Sequence, residues 1–295
     1  MRILLCLSSI PRVFAESFRS LQRMILEPLG EHVVDVAAYL YNHGTTADVH
    51  DAGKLLNSLR CRREIVITDP PFLSPAQLAA DEGISETQKY GLRGLLEMWW
   101  AMQQVRGIKR KFETQDKAAY DCVIWARPDL VYLTPIETTP RAVELAYPPC
   151  NWNFGHPDHF SYGTSMAMDA RMGLFDFYFH VYRPAWIRGN IKTHNGKWTA
   201  EIMQAAAVTS AGLKPRLTQA VPMRVCYDKG STLVRLPTWN SPPELAGELS
   251  ASPVMQEAMQ FTQPMWERGR RWHLPHFRKA IRSFRPWREA RIDIG

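Results

Sequence analysis

The chain predicts an α/β fold in which helices cover a mostly parallel sheet, and three observations carry that expectation. Within the first 130 residues, apolar runs alternate with segments of helical spacing, the order that builds parallel sheets through crossover helices. The runs are nearly continuous in Val, Ile, Leu and Ala, as in strands buried on both faces. An apolar fraction of 45% with ten Trp in 295 residues supplies a substantial core, which excludes wholesale disorder and suits one large domain or two smaller ones.

Taken in order, Arg2 to Ser9 reads as a first strand, followed by the loop Ser9-Ile10-Pro11-Arg12. Phe14, Phe18, Leu21 and Ile25 then recur at four, three and four, one helix face, until Pro28 and Gly30 stop it. "HVVDVAAYLY" from His32 and "REIVITDPPF" from Arg63 are the second and third strands. A long helix is predicted from about Ser85, its cap, to Arg106, with Leu92, Leu95, Leu96 and Trp99 facing inward. "YDCVIWA" is the fourth strand. Beyond it, turn residues mix with aromatics until a helix begins near Met166. Another helix is expected over Thr199 to Ala211, and "PMRVCYDKG" as a late strand.

The predicted organisation is a domain over 1–240, a Pro/Ser/Gly-rich linker over 241–255 and a basic amphipathic helical tail over 256–295. The net charge of +7 resides entirely between Trp266 and Arg291, where nine Lys or Arg meet two Glu, leaving 27 of each sign elsewhere. A uniformly basic nucleic-acid binder does not look like this, so no nucleic-acid partner is expected, and nucleic-acid binding comes last among the readings of the cationic end. Phe277, Ile281 and Phe284 share one face of that tail. Such a helix either lies on an anionic membrane surface or closes onto the body. Five scattered cysteines without a CxxC pair suggest neither a disulfide framework nor a thiolate zinc site, but reduced, buried thiols of a cytoplasmic protein. The opening apolar run is too short for a secretory signal, and no run of about 18 apolar residues occurs.

One stretch breaks the strand pattern. In "YDCVIWARPDLVYL" a Pro stands between Arg127 and Asp129 inside an apolar run. Two opposite charges there either cap a strand end as an ion pair or hold a charged ligand at the carboxyl end of a buried strand.

Three segments in order carry a family resemblance. "LLCLSSIPRVFAESFRSLQRMILEPL" with "VVDVAAYLY", then "YDCVIWARPDLVYL", then "HPDHFSYGTSMAMD" resemble the corresponding segments of GT-A-like glycosyltransferases found among viral and bacterial sugar transferases, over roughly residues 2–230. Ala126 stands where members often have a further basic residue, and His159 replaces their usual Gln. The resemblance implies a GT-A-like fold. It also implies transfer of a hexose or deoxyhexose from a nucleotide-diphosphate sugar to a hydroxyl of a glycan or lipid-linked acceptor.

On that resemblance, Arg127-Pro128-Asp129 occupies the place of the Asp-x-Asp that grips a divalent metal and the diphosphate. A guanidinium can supply the positive charge the leaving diphosphate needs. Asp129 then binds Mn²⁺ or Mg²⁺ weakly, hydrogen-bonds the sugar, or orients Arg127, and metal independence is equally open. Ser9 and Arg12 in the first strand-to-helix turn, and Gln88 at the start of the long helix, are the other donor-binding candidates. Asp158 is the candidate general base for the acceptor hydroxyl, with an N-cap or a sugar ligand as its alternatives. His156 and His159 flank it, but one short run rarely aims all its side chains at one metal. Among Trp152, Phe154, Phe160 and Tyr162, core packing is the leading reading and a sugar-stacking platform the other.

Overall fold

In the computed structural model the described residues are 1–11, 14–42, 46–71, 86–132, 135–136, 145–147, 159–182, 204, 207–208, 210–213, 215–217, 222–228 and 231–235. The first half runs β1 (Arg2–Ser9), α1 (Phe14–Leu21), a π-helical turn (Gln22–Leu26), a 3₁₀ turn (Glu27–Leu29), β2 (Val33–Tyr41), α2 (Thr46–Asn57), β3 (Arg63–Thr68), α3 (Glu86–Asp116) and β4 (Cys122–Ala126). The short strands β5 (Leu130–Tyr132), β6 (Leu145–Tyr147) and β7 (Phe160–Gly163) follow. After them come α4 (Ser165–Met172), α5 (Leu174–Phe177), β8 (Pro215–Leu217), β9 (Pro222–Asp228) and β10 (Ser231–Arg235).

The expected α/β architecture is present. A seven-stranded sheet has the order β3-β2-β1-β4-β7-β6-β8, and a three-stranded sheet the order β10-β9-β5. β3, β2, β1 and β4 run parallel to one another, β7 is antiparallel to β4 and β6, and β8 is parallel to β6. The sheet is thus mixed, and mostly parallel.

Alternation along the central strands divides the core between two faces. Ile3, Leu5 and Leu7 of β1 and Cys122, Ile124 and Ala126 of β4 pack with Phe14, Phe18 and Leu21 of α1 and Ala52 and Leu56 of α2. Leu4, Cys6, Val123 and Trp125 face the other way, onto Leu96, Trp99, Met102 and Val105 of α3 and Met168 and Met172 of α4. Helices therefore switch faces between the β1–β2–β3 crossovers and the β3–β4 crossover. That reversal makes the gap between the carboxyl ends of β1 and β4 a topological switch point, where open α/β sheets place their ligands.

At the opposite, amino end the chain is closed off by polar contacts. The Tyr120 hydroxyl donates to Asp35 Oδ2 at 2.6 Å, and the Arg2 guanidinium lies 4.5 Å over the Tyr120 ring. Burial and the Asp35 carboxylate together hold the Tyr120 phenol well above its ordinary pKa, so it stays a donor. Asp35, the acidic residue of the second-strand match, is thereby committed to structure.

Several expectations are corrected here. α3 continues ten positions past Arg106, because Ile108 and Phe112 extend its buried stripe and Lys109 pairs with Glu113 one turn on. α2 is not anticipated by the apolar spacing, since among its described side chains only Ala52 and Leu56 are fully buried. The late strand is present as β9, but in the second sheet, between β5 and β10. Of the helix expected over 199–211, the described positions Gln204, Ala207, Val208 and Ser210 are helical. Ser85, the linker 241–255 and the tail 256–295 lie outside the described residues. Among those described, no helix is long and apolar enough to cross a membrane. Cys6 and Cys122 are free and buried as expected, and Cys61 is free but half-buried.

Candidate functional site

β4 is buried along its whole length and paired on both sides, parallel to β1 and antiparallel to β7. A central strand cannot continue through a residue without an N–H, so Pro128 ends it. The chain turns over Pro128 and Asp129 and enters β5, which belongs to the second sheet. Arg127-Pro128-Asp129 thus forms the junction between the two sheets, at the carboxyl end of the parallel array.

The junction's backbone is held from three directions. The Arg127 N–H donates to the His159 carbonyl at 3.4 Å. The Ser17 hydroxyl of α1 donates to the Pro128 carbonyl at 2.6 Å. The Tyr132 hydroxyl donates to the Arg127 carbonyl at 3.3 Å, while the Tyr132 N–H donates to Ser20 Oγ at 3.0 Å. Burial, and after it the Asp129 charge, push the Tyr132 phenol well above its ordinary pKa, so it remains protonated and can donate. Pairing these buried carbonyls removes a desolvation cost of about 1–3 kcal/mol each.

The two charged side chains of the motif meet each other. Arg127 Nε donates to Asp129 Oδ1 at 2.9 Å and Nη2 to Oδ2 at 2.7 Å, a two-pronged pair whose side chains are 9% and 3% exposed. A fork of this shape also matches the oxygens of a phosphate. Both groups are largely withdrawn from water, where electrostatic interactions are strengthened.

Next to them, β1 ends in strained backbone. Leu7 pairs with Ala126, so Ser8 and Arg127 lie one residue past the last paired position of two adjacent strands. Ser8 is buried and its Oγ accepts from Trp125 Nε1 at 2.9 Å. Ser9 has φ of 103°, a conformation that costs a residue bearing a Cβ about 1–3 kcal/mol and is concentrated at functional sites. On the far side of Trp125 the buried Arg171 guanidinium stacks 4.6 Å from the ring centre, a cation–π contact that fixes the indole.

Of the residues singled out from sequence, Ser9, Arg127 and Asp129 are therefore brought to one rim of the sheet. Gln88 lies in the first turn of α3, and its side chain is outside what the structure describes, as are Arg12, Asp158 and His156. His159 is buried, and its carbonyl ties β7's start to Arg127. Phe160 and Tyr162 are core residues, Phe160 stacking edge-on against Tyr132 at 5.5 Å; Trp152 and Phe154 are not among the described residues. Ser17, Ser20 and Tyr132 escaped the sequence reading. Their one sequence signal is that Ser17 interrupts an apolar helix face between Phe14 and Phe18.

The described residues do not compose a resident metal centre. Both Asp129 oxygens accept from Arg127, and no three His, Cys, Asp or Glu side chains gather among the described residues.

No family model matches the chain, and no curated protein matches it. Among solved structures, the apo form of mouse xyloside xylosyltransferase 1 is similar at 13% identity, with 74% of this chain and 85% of that chain covered and a TM-score of 0.37.

Proposed function

We propose that this chain is a glycosyltransferase that receives the diphosphate of a nucleotide sugar at the β1–β4 switch point. It transfers a hexose or deoxyhexose to a hydroxyl of a glycan or glycolipid acceptor. The observation that carries this reading is the Arg127-Pro128-Asp129 junction at the carboxyl end of β4, beside the strained Ser9 at the end of β1. It is supported by the resemblance of the three sequence segments. In mechanism, the Arg127 guanidinium neutralises charge as the diphosphate departs. Asp158 accepts the proton of the attacking hydroxyl. Ser9, Arg12 and Gln88 contact the nucleotide. The basic segment 266–291 holds the enzyme against an anionic membrane surface that presents the lipid-linked acceptor.

A second reading has a specific observation in its favour. Arg127 and Asp129 already bond each other, as expected of a binding protein that keeps the fold without turnover. Turnover distinguishes the two, because a silent binder takes up a nucleoside diphosphate and hydrolyses or transfers no sugar from any sugar nucleotide.

The test is a thermal-shift panel of nucleoside diphosphates with and without Mn²⁺. At least one diphosphate should raise the melting temperature of the native chain, by mass action on the folded state. Arg127→Ala should abolish that shift. A shift that persists in Arg127→Ala would place the diphosphate elsewhere.

A further inference from the structure

We propose that Asp129 is an intramolecular competitor for the phosphate-binding fork of Arg127, so that ligand enters by displacing a carboxylate already seated there. This rests on the reading that Arg127 takes the diphosphate, and it deepens that reading by assigning Asp129 a gating role. The geometry is that of a substitute anion. Asp129 meets Nε and Nη2 at 2.9 and 2.7 Å through two parallel hydrogen bonds, the contact one phosphate would make with its own two oxygens. The pair is also preformed. Pro128 fixes the backbone between the partners, and Ser17 and Tyr132 hold the carbonyls of Pro128 and Arg127, so little freedom is lost in making it.

Charge points the same way. Together the two side chains carry no net charge, and at 9% and 3% exposure water screens them little. A neutral buried pair attracts a diphosphate weakly, whereas the guanidinium released from Asp129 attracts it strongly. The affinity measured for the native chain is the intrinsic affinity multiplied by the fraction of molecules in which the fork is open. Selectivity follows, since an anion with a single weakly basic oxygen cannot replace a two-oxygen carboxylate, and a phosphate can.

The experiment is calorimetric titration with inorganic pyrophosphate, metal removed by chelator, on the full chain and on Asp129→Asn, Arg127→Gln and the double variant. Asp129→Asn should bind pyrophosphate at least tenfold more tightly than the native chain, and Arg127→Gln should lose binding. In the Arg127→Gln background, Asp129→Asn should restore nothing. Equal or weaker binding by Asp129→Asn overturns the competition and makes Asp129 a support that aims Arg127. Tightening of equal size in the double variant overturns it too, as a general charge effect. Undiminished binding by Arg127→Gln instead defeats the underlying reading. Should Asp129→Asn fail to fold, the native chain carries the test through the Arg127 Nε–H proton resonance, assigned by its loss in Arg127→Gln. Saturating pyrophosphate must shift that resonance, and an unmoved signal overturns the proposal.

Discussion

Two charged residues inside an apolar run, Arg127 and Asp129, are legible in sequence because a buried strand has no use for an isolated charge. What the sequence cannot specify is their partner. An Arg and an Asp separated by one residue share a face in a strand, held about 6–7 Å apart by its rise, or meet each other across a turn, and Pro128 decides for the turn. Ser17 shows the converse. A serine on a helix face is ordinarily read as a tolerated small residue, and its bond to the Pro128 carbonyl spans 111 positions of sequence. At this scale the prediction concerns Asp158, the proposed base. Asp158→Asn should leave the diphosphate-induced melting shift intact while lowering transfer by about 10²-fold or more, the ordinary contribution of a general base. Transfer at the native rate in a product assay would remove Asp158 from that role.

At the level of elements, legibility follows length. β1, β2, β3 and β4 are long and apolar, and each begins within a residue or two of its expected position. β5 to β8 have three or four residues each, too few for a periodicity, and their pairing is set by distant partners. α3 runs past its expected end at Arg106 through turns rich in charge, and those charges are paired, Lys109 in the interior and Arg110 and Lys111 at the surface. Lys109, fully buried, donates to Glu113 at 2.9 Å and to Asp169 of α4 at 3.0 Å, and Ser165 donates to Glu113 at 2.6 Å. Burial alone raises the Glu113 carboxyl, but hydrogen bonds from Ser165, Lys109 and the Tyr120 N–H outweigh it and leave its pKa below the usual range. A depressed folded pKa contributes stability that is complete above the unfolded value and lost as pH falls through the folded one. The stability difference between the native chain and Glu113→Gln, read from urea midpoints, should therefore be largest near neutrality and shrink toward acid. A difference that stays constant with pH would contradict this role for the α3–α4 contact.

For the whole molecule, the two-faced sheet places its switch point between β1 and β4, and the residues nearest that point carry the unusual chemistry. Strain at Ser9, a sheet-to-sheet junction at Pro128 and a buried ion pair occur within a few residues of the same rim. The charge asymmetry of the sequence belongs to this scale too, because the proposed function assigns transfer to the neutral body and location to the cationic segment. If each cation near an anionic surface contributes about 1 kcal/mol, the nine of residues 266–291 suffice to hold the protein at a membrane. Sedimentation with phosphatidylserine vesicles should retain the full chain at low salt and release it as salt rises. A chain ending at residue 255 should not sediment yet should keep the diphosphate-induced melting shift. Vesicle binding by the shortened chain would contradict the tail's assignment.

Whether the rim formed by Arg127 and Asp129 receives the diphosphate of an activated sugar is decided by crystals grown with a nucleoside diphosphate. Phosphate oxygens should lie within hydrogen-bond distance of the Arg127 guanidinium, with the Asp129 carboxylate moved off Nε and Nη2. Phosphates bound elsewhere, with the Arg127–Asp129 pair still closed, would contradict it.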